Sequence, residues 1–274
     1  MNSALRAVYQ MYVFGFIHMG ICTVSLVYFT SLGIQKEIPL SYYLTIFTGT
    51  LVLYNLYAKL GQNKLYLTKN SVTGDIIIAT SAIIGIYQLT VLPYHVLLLL
   101  VPGVILSAFY VASETISALK YPKFLHPIVI ALVFSYITAL VPILAIDHTI
   151  LWSWIVYNFL YIFVLCLLFD IGDVEADSQR GLSSIPALIG IKNTKILIYI
   201  ICSLLCLIGM YYSPEMKIDI AYSIIISPIL VSFFTYLSAP RLEKHFYLVW
   251  IDGLMLVPMG IYLMIRLISH SNTF

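Results

Sequence analysis

The sequence predicts an all-α protein, a single multi-pass bundle of nine transmembrane helices with its amino terminus inside and its carboxy terminus outside. Three observations carry that prediction. The 274 residues are 61% hydrophobic and only 9% charged, where soluble domains carry roughly a quarter charged residues, and the mean hydropathy is +0.99. Nine apolar runs each approach the roughly 20 residues that a helix needs to cross the hydrocarbon core. Basic residues collect in alternate connections: of the 14 Lys and Arg, all but Lys36, Lys217 and Arg266 fall on one side, which the positive-inside rule assigns to the cytoplasm.

The runs are continuous rather than alternating, which selects helices over the closed β-barrel, the other structure that satisfies its backbone in lipid. The first, 8–32, follows Arg6 and is longer than a signal-peptide core of about 7–15 residues. Ser31-Leu32-Gly33-Ile34 is a poor cleavage site, so the segment reads as a retained helix. The run 40–58 leads into a long inner connection from Lys59 to Gly74, and 75–92 and 94–113 meet at a turn. The runs 125–146 and 150–170 follow, then a second long inner connection from Ile171 to Asn193, and finally 194–212, 219–238 and 246–266. Long connections in a compact domain tend to be functional, and both lie on the inner side. The whole of 1–274 reads as one membrane-embedded domain, with no segment of nucleic-acid-binding character.

Several residues inside the runs have simple readings. Pro102, Pro142, Pro228 and Pro258 are kinks whose freed carbonyls neighbouring helices re-satisfy. Cys22, Cys166, Cys202 and Cys206 pack as small apolar groups. His18 and Asn158 read as interhelical hydrogen bonders, and Asp75 and Asp219 as helix N-caps. Asp252, an intramembrane carboxylate, is either functional or hydrogen-bonded to a buried Tyr, Ser or His.

One cluster stands apart. Four of the 12 acidic residues lie within Asp170-Ile-Gly-Asp-Val-Glu-Ala-Asp177. If helical, Asp170, Asp173 and Asp177 share one face and Glu175 points elsewhere. A helix C-terminus disfavours negative charge, so helix-end electrostatics does not account for the cluster. Either it is a solvated acidic turn partly neutralised by Arg180, or it is a site for a hard divalent cation. Magnesium takes a few carboxylates, keeps several waters and accepts substrate phosphates.

The stretch Phe169 to Gly190 resembles the second aspartate-rich motif of the UbiA superfamily of intramembrane prenyltransferases, with Asp170, Asp173, Asp177, Gly181, Pro186 and Gly190 at matching positions. Nine helices and long inner loops after the second and sixth fit the same family. Tyr110 and Leu119-Lys-Tyr-Pro-Lys123 resemble its loop between helices four and five, and Asp252-Gly253 fits related members. The resemblance implies Mg²⁺-dependent transfer of a prenyl group from an allylic diphosphate to an aromatic or other lipophilic acceptor. It implies Asp170, Asp173 and Asp177 as magnesium ligands, with Asp173 and Asp177 catalytic. Asn55, Lys59, Tyr110, Lys120, Lys123 and Arg180 become substrate-binding residues, and the mouth opens to the cytoplasm from the cell membrane. The family's first motif is an Asn followed by Asp four and eight residues later. Here Asn55 is kept, but Lys59 and Asn63 replace the aspartates; Gly172 and Ser183 replace basic residues common in the second motif. A non-catalytic relative that binds a prenyl lipid or a partner is therefore the alternative. A transporter ranks third, because only His18 and Asp252 are mid-membrane titrating groups and coupled transport uses several.

Overall fold

The computed structural model describes residues 3–60, 72–115, 122–146, 152–212, 216–240, 242–243 and 245–271. Every regular element among them is helical: α1 Ser3–Phe14, α2 Ile17–Gly33, α3 Leu40–Leu60, α4 Val72–Val91, α5 Tyr94–Thr115, α6 Lys123–Ile146, α7 Trp152–Gln179, α8 Ile185–Ile189, α9 Ile191–Tyr212, α10 Ile218–Leu237 and α11 Phe246–Ser269. Seven of these are long and apolar enough to cross a membrane, and the bent pair α1–α2 makes an eighth. The 21-residue α3 is long enough but more polar, with four tyrosines and three threonines among its residues. The protein is an integral membrane protein.

The axis is α7, 56% buried along its span, and α4 is at the rim at 11%. One core joins α2, α7, α9 and α11 around Leu26, Tyr161, Leu165, Leu168, Ile198 and Leu254. A second lies between α2, α3, α5 and α6 around Val27, Tyr42, Ile46, Val96 and Val141.

Two predicted boundaries are corrected. The single first helix is broken by 54° between Phe14 and Ile17. Phe16 adopts φ 61° there, and Asn55 Nδ2 donates to the Gly15 carbonyl (3.1 Å) at the break. The second correction is larger. The predicted connection Ile171–Asn193 is mostly helical, since α7 runs to Gln179, α8 fills its middle and α9 starts at Ile191. Ile171, Val174 and Asp177 continue the buried face of α7 past Asp170. The helix then stops in a Schellman motif: Leu182 N–H donates to Asp177 O (2.9 Å), Gly181 N–H donates to Ser178 O (3.0 Å), and Gly181 takes φ 68°, a left-handed conformation that glycine adopts without steric cost.

Tyrosine hydroxyls from other helices meet backbone carbonyls beside Pro102, Pro142, Pro228 and Pro258. Proline cannot donate the bond that its turn requires. At Pro228 the deprived carbonyl is that of Ile224, which receives the Tyr157 hydroxyl (2.9 Å). At Pro258 the Leu254 carbonyl accepts both the Val257 N–H of a 3₁₀ turn and the Tyr161 hydroxyl (2.7 Å). At Pro142 the preceding turn is a π-turn, Tyr136–Leu140, with Val141 N–H on Tyr136 O. The next bond of that register would reach Ile137 O, and the Tyr42 hydroxyl supplies it (2.6 Å). Near Pro102, Tyr136 donates to Leu99 O (2.7 Å). Part of the tyrosine content is thus a backbone-satisfying set.

His18 reaches across helices to Val249 O (3.2 Å), as predicted. Asn158 instead donates to Trp154 O within α7 (2.9 Å). Asp75 and Asp219 lie inside the first turns of α4 and α10 rather than at the cap positions. All four cysteines are free thiols.

Candidate functional site

Because α7 continues to Gln179, Asp170, Asp173 and Asp177 are helical. At 100° per residue they fall within about 60° of arc, and the first and last are about 10.5 Å apart along the axis. Asp170 and Asp177 are buried, 5% and 4% exposed, while Asp173 and Glu175 are exposed. Among the described residues Asp170 Oδ2 and Asp177 Oδ2 each lack a hydrogen-bond partner, and so does the Oγ of the fully buried Ser184. Ser184 neighbours Asp177 without reaching hydrogen-bond geometry. Such orphans are costly in a folded protein and call for an explanation.

Positive charge approaches from α6. Lys123, half-buried at the first turn of α6, is an electrostatic neighbour of both Asp170 and Asp177. Arg180 is exposed just past the helix end and within range of Asp177.

A line of contacts runs inward from Lys123. His126, one turn on, meets the Tyr110 hydroxyl through Nε2 (3.3 Å). Tyr110 stacks on Tyr57 with ring centroids 5.4 Å apart. These tyrosines wall a small apolar cleft, partly open, between α3, α5 and α6; Leu53, Tyr54, Ser107, Ile130, Val133 and Phe134 complete its lining.

The structure therefore gathers Asp170, Asp177, Lys123 and Arg180 at one end, with Tyr110 alongside. Lys59 pairs with Asp75 across α3 and α4, a half-exposed ion pair. Asn55 is fully buried, with its amide donating to Gly15 O and Leu51 O and its Oδ1 unpartnered among the described residues. Lys120 and the first-motif residue Asn63 lie outside the described residues. Sequence reading missed Ser184, His126, Tyr54, Tyr57 and Phe134. The signal for the cleft was present: Tyr54/Tyr57, Ser107/Tyr110 and Ile130/Val133/Phe134 follow helical i, i+3, i+4 spacing on three separate runs. Gly172, where a basic residue was expected, is in contact with the Tyr247 ring; a Cβ there would fall 2.7 Å from it.

The donors fit a hard cation shared with a substrate. Among the described residues no three His, Cys, Asp or Glu side chains close on one point. Carboxylates spread along two turns of helix cannot form an all-protein cage. Magnesium does not need one, since it is commonly held by one or two carboxylates plus substrate phosphates and water.

No protein-family profile matches the chain, and no curated protein sequence does. Solved structures do. The apo structure of a UbiA homolog from Aeropyrum pernix K1 aligns over 92% of this chain and 98% of its own, at TM-score 0.66 and 15% identity. The chain has a UbiA-type fold. A digeranylgeranylglyceryl phosphate synthase structure also aligns, over 93% of this chain and 95% of its own, at TM-score 0.49 and 15% identity. Within this UbiA-type fold the acidic face of α7 and the aromatic cleft share the end of the bundle at which Lys123 begins α6.

Proposed function

We propose that the protein is a UbiA-like intramembrane prenyltransferase. It moves a prenyl group from an allylic polyprenyl diphosphate to an aromatic or other lipophilic acceptor, with Mg²⁺. The bundle spans the cell membrane nine times, amino terminus inside, with the mouth toward the cytoplasm. The observation that carries the reading is the pair of buried carboxylate oxygens on Asp170 and Asp177, unpartnered among the described residues and set beside Lys123 and an aromatic cleft.

In this reading Asp170, Asp173 and Asp177 hold the metal–diphosphate end of the donor. Bound magnesium supplies charge neutralisation of the leaving diphosphate. Lys123 and Arg180 add fixed positive charge, Lys123 as a point charge within the bundle. Tyr54, Tyr57, Tyr110 and Phe134 line the path of the prenyl chain, and their ring faces favour an allylic cation. Asn55, Lys59 and Lys120 complete the donor side. The first-motif segment lacks aspartates, so cationic groups take the place of one carboxylate set.

The test uses purified protein in detergent, prenyl diphosphates of several chain lengths, and magnesium or a chelator. Magnesium-dependent diphosphate release and a prenylated acceptor are the expected outcome. Saturable binding without release would replace this reading with that of a non-catalytic prenyl-lipid binder. Release left intact in Asp173→Asn/Asp177→Asn would overturn the assignment of these carboxylates.

A further inference from the structure

Asp252 is the buried carboxylate that the donor site does not use. It is 9% exposed, inside α11, and its carboxylate has no hydrogen bond or ion pair among the described residues. The polar side chains around it are committed elsewhere. His18 Nε2 donates to Val249 O (3.2 Å) while its Nδ1 receives the Tyr12 hydroxyl (2.8 Å). Tyr161 donates to Leu254 O (2.7 Å) and Ser25 to Met255 O (3.4 Å). All these bonds except Tyr12 to His18 hold the backbone of α11 on either side of Asp252, and none reaches the carboxylate.

That backbone is irregular where Asp252 sits. A π-turn, Phe246–Ile251, ends immediately before it, and a 3₁₀ turn, Leu254–Leu256, follows. A π-turn inserts one residue and re-aims the side chains that follow, a feature frequent at functional sites. The next residue faces α2: a Cβ on Gly253 would make an ordinary van der Waals contact with His18 Nε2 at 3.8 Å.

Its neighbours place it relative to the donor site. The bonds of His18 and Ser25 on α2 and of Tyr161 on α7 to the backbone on either side of it set Asp252 between α2, α7 and α11. Cys22 and Cys166 are its electrostatic neighbours. Cys166 also feels Asp170 and Lys123, so Asp252 and the donor site flank the same thiol. An unpartnered carboxylate inside a membrane bundle costs several kcal/mol when ionised, and such residues mark binding or proton-transfer sites.

We infer that Asp252 is the acceptor-site residue: it receives a hydroxyl of the lipophilic acceptor by hydrogen bond and takes the proton released on transfer. The inference rests on the transferase reading and names the acceptor class, a lipophilic alcohol or phenol. In the step, the allylic C–O bond breaks and its electron pair leaves with the diphosphate. A lone pair on the acceptor oxygen forms the new bond to the allylic carbon, and the O–H proton passes to the Asp252 carboxylate.

The test compares wild type, Asp252→Asn and Asp252→Glu, with a prenyl diphosphate as donor and phenolic or long-chain alcohol acceptors. General-base contributions are typically 10²–10⁴-fold. Asp252→Asn should therefore lower kcat for transfer on the order of 100-fold or more, with the KM for prenyl diphosphate unchanged and partial recovery in Asp252→Glu. A second arm needs no variant: a lipophilic carbodiimide should label Asp252 in wild-type protein, and the alcohol, but not the matched alkane, should block labelling. Transfer by Asp252→Asn at the wild-type rate, or labelling indifferent to the alcohol, overturns the inference alone. Absence of magnesium-dependent diphosphate release from wild type overturns the transferase reading beneath it.

Discussion

Tyr157 and Pro228 form a pair whose energy can be isolated by a double-mutant cycle. Pro228 has no N–H for the Ile224 carbonyl, and the Tyr157 hydroxyl occupies that carbonyl at 2.9 Å. Tyr157 is 3% exposed and Ile224 2%, so both ends of the bond are buried. Tyr157→Phe removes the donor without changing the ring. A buried acceptor left bare costs about 1–3 kcal/mol in soluble proteins. Interhelical hydrogen bonds in membranes average about 0.6 kcal/mol and reach about 1.7. The upper part of the membrane range applies here, because Pro228 denies the carbonyl its own helical donor. We expect Tyr157→Phe to cost about 1–1.7 kcal/mol. In Pro228→Ala the alanine N–H takes over the Ile224 carbonyl, and Tyr157→Phe on that background should cost close to nothing. The coupling is read from unfolding in mixed micelles for the four proteins, or from Tm, where 1 kcal/mol is roughly 2–4 °C for a chain of somewhat smaller size. An equal cost for Tyr157→Phe on both backgrounds would refute the reasoning, and with it the same account of Tyr42 with Pro142.

Three further outcomes follow from the α7 end of the bundle. Asp170 and Asp177 repel across about 10.5 Å of helix by about 1.6 kcal/mol at an effective dielectric of 20, partly offset by Lys123. At alkaline pH without ligand, Asp170→Asn should therefore raise Tm by a few degrees, while abolishing the stabilisation that magnesium with prenyl diphosphate confers; a lower unliganded Tm contradicts this. Gly172→Arg should fail to fold, since even a Cβ falls 2.7 Å from the Tyr247 ring, and adding Tyr247→Ala should recover folded protein in size-exclusion chromatography. Gly181→Ala forces an ordinary residue to φ 68° where its methyl meets no neighbour. It should cost about 1–2 kcal/mol of backbone strain alone, and Gly181→Asn less, in the same unfolding measurement.

The helical class and most span positions are legible because hydropathy over twenty residues is a strong signal. What fails is local. The run 150–170 loses its apolar character at Asp170, so the charge ends the predicted helix there. Tertiary packing carries it on to Gln179, because Ile171 and Val174 still face the core. The true stop, Gly181 in a left-handed turn, was readable as a helix C-terminus signal, but the charges ahead of it dominated. The break at Gly15–Phe16 is harder. A non-glycine residue at φ 61° carries no sequence signature, and it is held by Asn55 from a different helix. The π-turns in α6 and α11 are equally invisible, since they depend on partners such as Tyr42 and His18 supplied from other helices.

The site divides along the same line. Asp170 and Asp177 are picked out by residue type and spacing, Lys123 and Tyr110 by the resemblance to UbiA-type sequences, and the structure brings all four to one end. The roles of Asn55 and Lys59 are less separable from structure. One amide secures the α1–α2 break, and one ammonium already has a partner in Asp75. Any donor-site function for Lys59 therefore needs the exposed Asp75 pair to open, which is inexpensive, as surface ion pairs are worth about 0–1 kcal/mol. Lys123 needs no such release, because its electrostatic neighbours are the buried carboxylates themselves. With carboxylates on α7 and a lysine on α6, negative charge at this end is partly offset across two helices that meet at the bundle axis. Loss of the first-motif aspartates is then compatible with a donor site centred on the α6–α7 pair rather than on α3.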